Sequence, residues 1–183
     1  MTGHTGFKGA WLVQWLRRLE ARVFGYALPP ETTPNLFSAA AVGDLCEAST
    51  TGDVRNRETL AASIDAADPD VVFHLAAQPL VRRAYAEPEQ TFDTNVRGTW
   101  NLLESLRHRR KPCIVVVVTS DKVYRVDGRT SGYRETDPLG GDDPYGASKA
   151  AAEIVVASYR SSFFPPSKPG EHGVAVASVR AGM

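Results

Sequence analysis

Tyr145 and Lys149 stand four residues apart in Tyr145-Gly146-Ala147-Ser148-Lys149. On a helix that spacing places a phenol and an ammonium on one face. The cation favours the phenolate and draws the Tyr pKa down from its ordinary value of about 10, which makes a general base for an alcohol. A solvated helix carries the same pair just as readily, so spacing alone leaves both readings open. Thr119-Ser120-Asp121-Lys122 follows an apolar run, Ile114-Val115-Val116-Val117-Val118. Open parallel sheets bind ligands at the carboxyl ends of their strands. At such an edge Ser120, Asp121 and Lys122 supply a hydroxyl hydrogen bond, a proton donor and a base; elsewhere they are a polar turn.

A third group of residues suits a phosphate. Gly3-His4-Thr5-Gly6-Phe7-Lys8-Gly9 leads directly into an apolar-periodic segment. Glycines so spaced allow a tight turn, a close backbone approach to a pyrophosphate and close packing of helix on sheet, and the helix N-terminus offers free N–H groups. Three glycines also occur in ordinary loops. Asp53, in Gly52-Asp53-Val54-Arg55, is placed either to accept from an adenine amino group or to cap the following turn. The acidic residue expected on a ribose about 20 residues beyond the glycines is missing, since Ala27-Leu28-Pro29-Pro30 stands there and Glu31 comes late. NAD and NADP are therefore not distinguished.

Positioning these groups requires alternating strands and helices. Strands are expected at Arg22–Tyr26, Val71–Leu75, Ile114–Val118 and Val174–Val179, with a weaker one at Ser49-Thr50-Thr51. The 114–118 run is apolar throughout, as in a parallel strand covered on both faces. Helices are expected over Phe7–Leu19, Arg57–Ala67, Pro88–Arg109 and Tyr145–Phe163, the last behind a capping turn at Asp142-Asp143-Pro144. Trp11, Leu12, Trp15, Leu16 and Leu19 form one apolar stripe on the first helix, which puts Trp11 and Trp15 in the core. Pro165 to Gly170 reads as a loop. The pattern is that of an α/β doubly wound, mostly parallel sheet, Rossmann-like, in a single incomplete NAD(P)-binding domain over residues 1–183.

Composition agrees with a globular chain of this kind. Among 183 residues, 21 Lys and Arg balance 21 Asp and Glu, which argues against a basic footprint for nucleic acid or anionic membrane. No apolar run reaches the length needed to span a bilayer. The first residues show no secretory signal, and Cys46 and Cys113 alone imply neither a disulfide framework nor a metal site. A cytoplasmic protein acting on a small molecule is the expectation.

Taken together and in order, these segments resemble the extended short-chain dehydrogenase/reductase family, and within it the nucleotide-sugar 4,6-dehydratases. The resemblance also rests on Gly25-Tyr26-Ala27-Leu28, Pro34-Asn35-Leu36-Phe37, Phe73-His74-Leu75-Ala76-Ala77-Gln78-Pro79-Leu80-Val81-Arg82, Thr94-Asn95-Val96-Arg97-Gly98-Thr99, Val123-Tyr124 and Gly132-Tyr133-Arg134-Glu135. The Phe7-Lys8 form of the glycine loop and the Asp121-Lys122 pair point to the branch acting on CDP-glucose. The resemblance implies NAD held by Gly3, Thr5, Gly6, Phe7, Gly9, Asp53, Val54, Ala76, Ala77, Gln78, Asn95, Tyr145 and Lys149. It implies that Tyr145 takes the proton of the sugar 4-hydroxyl while hydride leaves C4, with Ser120 on the same hydroxyl and Lys149 on the cofactor ribose. Lys122 then removes the C5 proton, Asp121 protonates the departing 6-hydroxyl, and hydride returns to C6. Asp121 must begin protonated and Lys122 neutral, which both need the site to shift their pKa values. Asn95 corresponds to a position that supports the active-site helix, although an Asn in a helix is equally a local cap or kink. A homodimer through the helices at Pro88–Arg109 and Tyr145–Phe163 is implied as well.

His74 reads as a packed, hydrogen-bonded histidine rather than a catalyst, and Arg82 and Arg83 as either diphosphate ligands or a solvated face. Two departures qualify the resemblance. Only Met1 and Thr2 precede Gly3, so nearly all of the first, central strand is absent. Two half-sheets about 10 Å apart, with facing rows of unpaired backbone groups, are expected, and with them a poorly folded isolated chain. The chain also ends at Arg180-Ala181-Gly182-Met183, before the family's substrate-recognition part. A 4-epimerase or other sugar-nucleotide reductase needs Tyr145 and Lys149 without Asp121-Lys122, and a noncatalytic nucleotide-binding or dimerising remnant is the alternative of a different class.

Overall fold

The computed structural model describes residues 1–109 and 111–182. In chain order its elements are α1 (Phe7–Arg18), β1 (Phe24–Ala27), α2 (Leu36–Ala39), β2 (Ala48–Thr51), α3 (Arg57–Ala67), β3 (Val71–His74), α4 (Val81–Ala86), α5 (Pro88–Phe92), α6 (Gly98–Leu106), β4 (Cys113–Val118), α7 (Pro144–Ser162), α8 (Pro169–His172) and β5 (Val174–Val179). All strand pairs are parallel: β1 with β2, β3 with β4 and β4 with β5.

The expected separation into two half-sheets is present, as a two-stranded sheet β1-β2 and a three-stranded sheet β3-β4-β5. Thr2 stands between them and bridges Tyr26 on one side and His74 on the other. Its N–H donates to Phe73 O at 2.9 Å and its carbonyl accepts from Leu75 N–H at 3.2 Å. On the other flank Met1 O accepts from Tyr26 N–H at 3.0 Å, and the Met1 ammonium donates to Phe24 O at 2.5 Å. With Thr2 in first place the strand order is 3-2-1-4-5-6, that of a doubly wound fold. Beyond Met1 the two sheets flank a cleft of about 720 Å³ lined by Phe24, Leu60, Ile64, Val71 and Phe73 among others.

The main core lies on the three-stranded sheet. Val72, Val115, Val117, Val174 and Val176 pack against Leu60 and Ile64 of α3, Leu102, Leu103 and Leu106 of α6, and Val156 and Tyr159 of α7. Asn56 caps α3 and Asp143 caps α7 through its carboxylate, which accepts from Tyr145 and Gly146 N–H.

Several expectations change. Trp11 and Trp15 are not core: they are 54% and 64% exposed, in an i, i+4 row with Phe7 at 71% and Leu19 at 65%. The face of α1 that packs inward is Gly9, Ala10 and Val13. The glycine loop imposes that choice, because a Cβ on Gly9 would lie 2.1 Å from Gly3 O. Only small residues let α1 approach so closely, and the bulky row is turned out. The first strand runs Phe24–Ala27 rather than from Arg22, and the weak one gains Ala48, all four of its residues being exposed at the sheet edge. The helix read over Pro88–Arg109 is interrupted by a π turn at Asp93–Arg97. Part of the loop after α7 becomes α8, with Pro169 in its first turn.

Candidate active site

The carboxyl ends of the strands gather the candidate residues. Gly3 has φ +75°, and a Cβ there would meet Ala76 N at 2.6 Å, so the glycine loop lies directly on the turn after β3. Gly6 begins α1 with no side-chain cap, which leaves the first N–H groups of a 12-residue helix free. Thr5 Oγ1 donates to Leu28 O at 2.8 Å and fixes the loop to the end of β1. Together the close approach and the uncapped helix start are features of a phosphate-binding loop.

Gln78 and Asn95 close that turn. Asn95, 1% exposed, accepts from Gln78 N–H at 2.8 Å and donates to Gln78 O at 3.1 Å. Its Nδ2 also donates to Ser148 Oγ at 2.9 Å, and Ser148 in turn donates to Tyr145 O at 2.7 Å. The π turn at Asp93–Arg97 swings Asn95 into this position, and such turns recur at functional sites. No sequence signal marked the turn.

Asp53 is differently occupied. Its carboxylate holds the Arg55 guanidinium, with the shorter contact at 2.6 Å, and accepts the Arg55 N–H at 2.9 Å. Burial works against its charge, but the Arg55 hydrogen bonds outweigh it and hold the carboxyl below its ordinary pKa. Val54 is buried beneath and packs against Gly98, where a Cβ would meet its side chain at 2.7 Å. Glu31 pairs with Arg83 at 2.8 Å, and Arg83 also binds Glu87, so this arginine is committed to surface ion pairs.

Lys149 is 4% exposed and donates to Val118 O at 2.9 Å. Burial pushes its pKa down to about 8, against a partial rise from the nearby Glu153. Its ammonium therefore lies behind the last residue of β4, next to the turn that carries Ser120, Asp121 and Lys122. Ser120 caps that turn by accepting from Lys122 N–H at 3.2 Å, and its hydroxyl donates to Asp121 Oδ1 at 3.0 Å. Asp121 and Lys122 are exposed while Ser120 is buried. The start of α7 sits on this turn: a Cβ on Gly146 would lie 2.9 Å from Lys122 O. Tyr145, half-buried, thus adjoins the Ser120–Lys122 segment.

His74 is the packed histidine that its position suggested. Thr2 Oγ1 lies 2.7 Å from Nδ1 and Thr99 Oγ1 lies 3.3 Å from Nε2. Full burial, with the Lys149 charge adding to it, lowers its pKa to about 3. Among the described residues no His, Cys, Asp and Glu group is arranged to hold a metal, and no helix is long and apolar enough to cross a membrane.

With this geometry the relatives can be compared. The chain is 50% identical over its whole length to CDP-glucose 4,6-dehydratase of Salmonella typhimurium, covering half of that protein. It is 30% identical over 89% of its length to CDP-paratose 2-epimerase of Salmonella typhi, covering 53% of it. Among solved structures, a dTDP-glucose 4,6-dehydratase from Streptomyces venezuelae, crystallised with NAD, superposes with a TM-score of 0.76 at 26% identity, over 97% of this chain and 53% of that one. The chain therefore spans about half the length of the relatives it matches. The GDP-mannose 4,6 dehydratase family matches residues 1–166, and the chain belongs to that family.

Proposed function

We propose that this chain carries the NAD-binding and catalytic part of a CDP-glucose 4,6-dehydratase, which converts CDP-D-glucose to CDP-4-dehydro-6-deoxy-D-glucose. The observation that carries the reading is the junction of α7 with the β4 edge, where Tyr145 and Lys149 meet the Ser120–Lys122 turn. The 50% identity to a CDP-glucose 4,6-dehydratase supports the substrate. The glycine loop and the uncapped start of α1 fit a dinucleotide pyrophosphate, and the buried Lys149 fits a ribose hydroxyl as its further partner. When bound, NAD supplies the acceptor, and later the donor, of one hydride.

Tyr145 takes the proton of the sugar 4-hydroxyl, and Ser120 holds the same oxygen by a hydrogen bond. The ammonium of Lys149 stabilises the phenolate that this requires. Oxidation at C4 acidifies the C5 hydrogen, which Lys122 removes as a base. Asp121 gives its proton to the 6-hydroxyl, which departs as water, and C5 takes a proton back, from Lys122, as C6 is reduced. An epimerase has no use for these last two residues, and their presence favours elimination.

The reading includes a cytoplasmic homodimer without nucleic-acid or membrane partners. Phe92, Trp100, Ile154 and Phe163 leave apolar surface exposed on α5 to α7 in support of that assembly. Purified protein incubated with CDP-glucose and NAD should yield a product lighter by one water. Tyr145→Phe, Asp121→Asn and Lys122→Met should each abolish it. A product that is an isomer of the substrate would favour the epimerase instead.

A further inference from the structure

Glu153 lies on α7 one turn beyond Lys149 and two beyond Tyr145, and it is 5% exposed. A carboxylate so deeply buried is costly unless its oxygens are filled, and here they are. Thr119 Oγ1 donates to Oε1 at 2.5 Å, Ser178 Oγ donates to Oε2 at 2.8 Å, and Arg180 Nη2 reaches Oε2 at 3.3 Å. These hydrogen bonds outweigh the burial and keep the carboxyl below its ordinary pKa, so the group is anionic. Its partners sit at the carboxyl ends of both β4 and β5. Thr119 directly precedes Ser120, and Lys149 donates to the residue before it, Val118. Two successive turns of α7 therefore grip two successive residues of the strand end from which Ser120, Asp121 and Lys122 emerge.

We infer that Glu153 is a positioning residue which fixes the Ser120–Lys122 turn relative to the Tyr145–Lys149 pair and sets its own negative charge one helical turn from the Lys149 ammonium. This deepens the dehydratase reading and rests on it for its meaning, while the geometry stands without it. The charged and titratable groups around Lys149 are His74 on β3, held neutral by burial, and Tyr145 and Glu153 one turn either side on its own helix, with Arg180 beyond Glu153.

The test uses the chain itself and does not require turnover. Lysine side-chain NMR, with Lys149 assigned by Lys149→Arg, reads its titration midpoint, and backbone amide shifts read the position of Ser120 to Lys122. Glu153→Gln should lower the Lys149 midpoint by about one pH unit or more, since an opposite charge nearby is removed, and should displace the Ser120–Lys122 amides. Glu153→Asp, which keeps the charge, should restore most of the midpoint. Should Glu153→Gln not fold, Thr119→Val removes the hydrogen bond that Thr119, directly after β4, gives Glu153 and should displace the same amides while leaving Glu153 charged. An unchanged midpoint in Glu153→Gln, or unmoved Ser120–Lys122 amides in both variants, overturns the proposal. Failure of the dehydratase reading would show separately, as wild-type protein that leaves CDP-glucose untouched whatever Lys149 does.

Discussion

Asn95 and Ser148 are joined across the buried seam between the π turn and α7 by a 2.9 Å hydrogen bond, Nδ2 to Oγ. Through Ser148 the bond reaches the carbonyl of Tyr145, and through Gln78 it reaches the turn after β3. One amide thus ties α7 to the turn after β3, on which the glycine loop lies. Removing it leaves buried backbone and hydroxyl groups without partners, each costing about 1–3 kcal/mol. Asn95→Ala should lose about 2–3 kcal/mol in urea unfolding. A loss below about 0.5 kcal/mol would mean that the seam is not held in this way.

The glycine loop makes a contrast between neighbours. At Gly9 a Cβ would press on Gly3 O at 2.1 Å, whereas at Gly6 it would meet that same atom at an ordinary 3.5 Å. Gly9→Ala should cost about 1–3 kcal/mol as an overpacked contact that α1 can relieve only by moving away, and should weaken NAD binding. Gly6→Ala, at φ −75°, should stay within about 0.5 kcal/mol of wild type. Thermal melts and calorimetric titration of NAD compare the two.

The outward row of α1 gives a third test. Trp15→Ser should change stability by less than about 0.5 kcal/mol, while Val13→Ala, at 0% exposure, should cost about 1–3 kcal/mol through the cavity it leaves. The reverse order would restore the tryptophans to the core. Acrylamide quenching of wild-type fluorescence reports the same exposure directly.

Stability should fall on acidification. The Met1 amino group is lowered to about 6, His4 to about 4 and His74 to about 3, each chiefly by burial. A base whose folded pKa lies below its unfolded one binds fewer protons when folded, so stability rises with pH between the two values. The Met1 contribution is fully present above about pH 8 and is lost as pH falls towards 6. Those of the two histidines are present above about 6.5 and are lost as pH falls through 4 and 3. Urea unfolding at several pH values should show a decline of a few kcal/mol from pH 8 to 5. Flat stability over that range would contradict the burial of these groups.

The sequence made the sheet edge legible and the packing direction of α1 illegible. Val174–Val179 and Arg57–Ala67 matched to the residue because β-branched runs and an Asn cap mark their own limits. The Tyr145–Lys149 spacing and the polar turn after β4 pointed to one edge, and the structure sets both segments there, since helix period and strand polarity are local properties. The outward turn of Trp11 and Trp15 was hidden, because periodicity defines a stripe but not which stripe meets the sheet. Only the close approach of Gly9 to Gly3 decides it. Asn95 drew attention by resemblance alone, for the π turn that aims it has no propensity signature. Glu153 was missed altogether. A signal was present, a carboxylate one turn beyond Lys149 in an otherwise Ala- and Val-rich helix, and a charge at a core-facing position of that kind needs buried partners.

We propose that one hydride leaves C4 of a nucleotide-linked glucose and returns to C6 at the Tyr145–Lys149 and Asp121–Lys122 site. CDP-glucose deuterated at C4, incubated with the protein and unlabelled NAD, tests it most directly by mass spectrometry and NMR of the product. The expected product is a 4-keto-6-deoxy sugar with the deuterium at C6. Unreacted CDP-glucose, or a dehydrated product from which the deuterium has been lost to solvent, would contradict it.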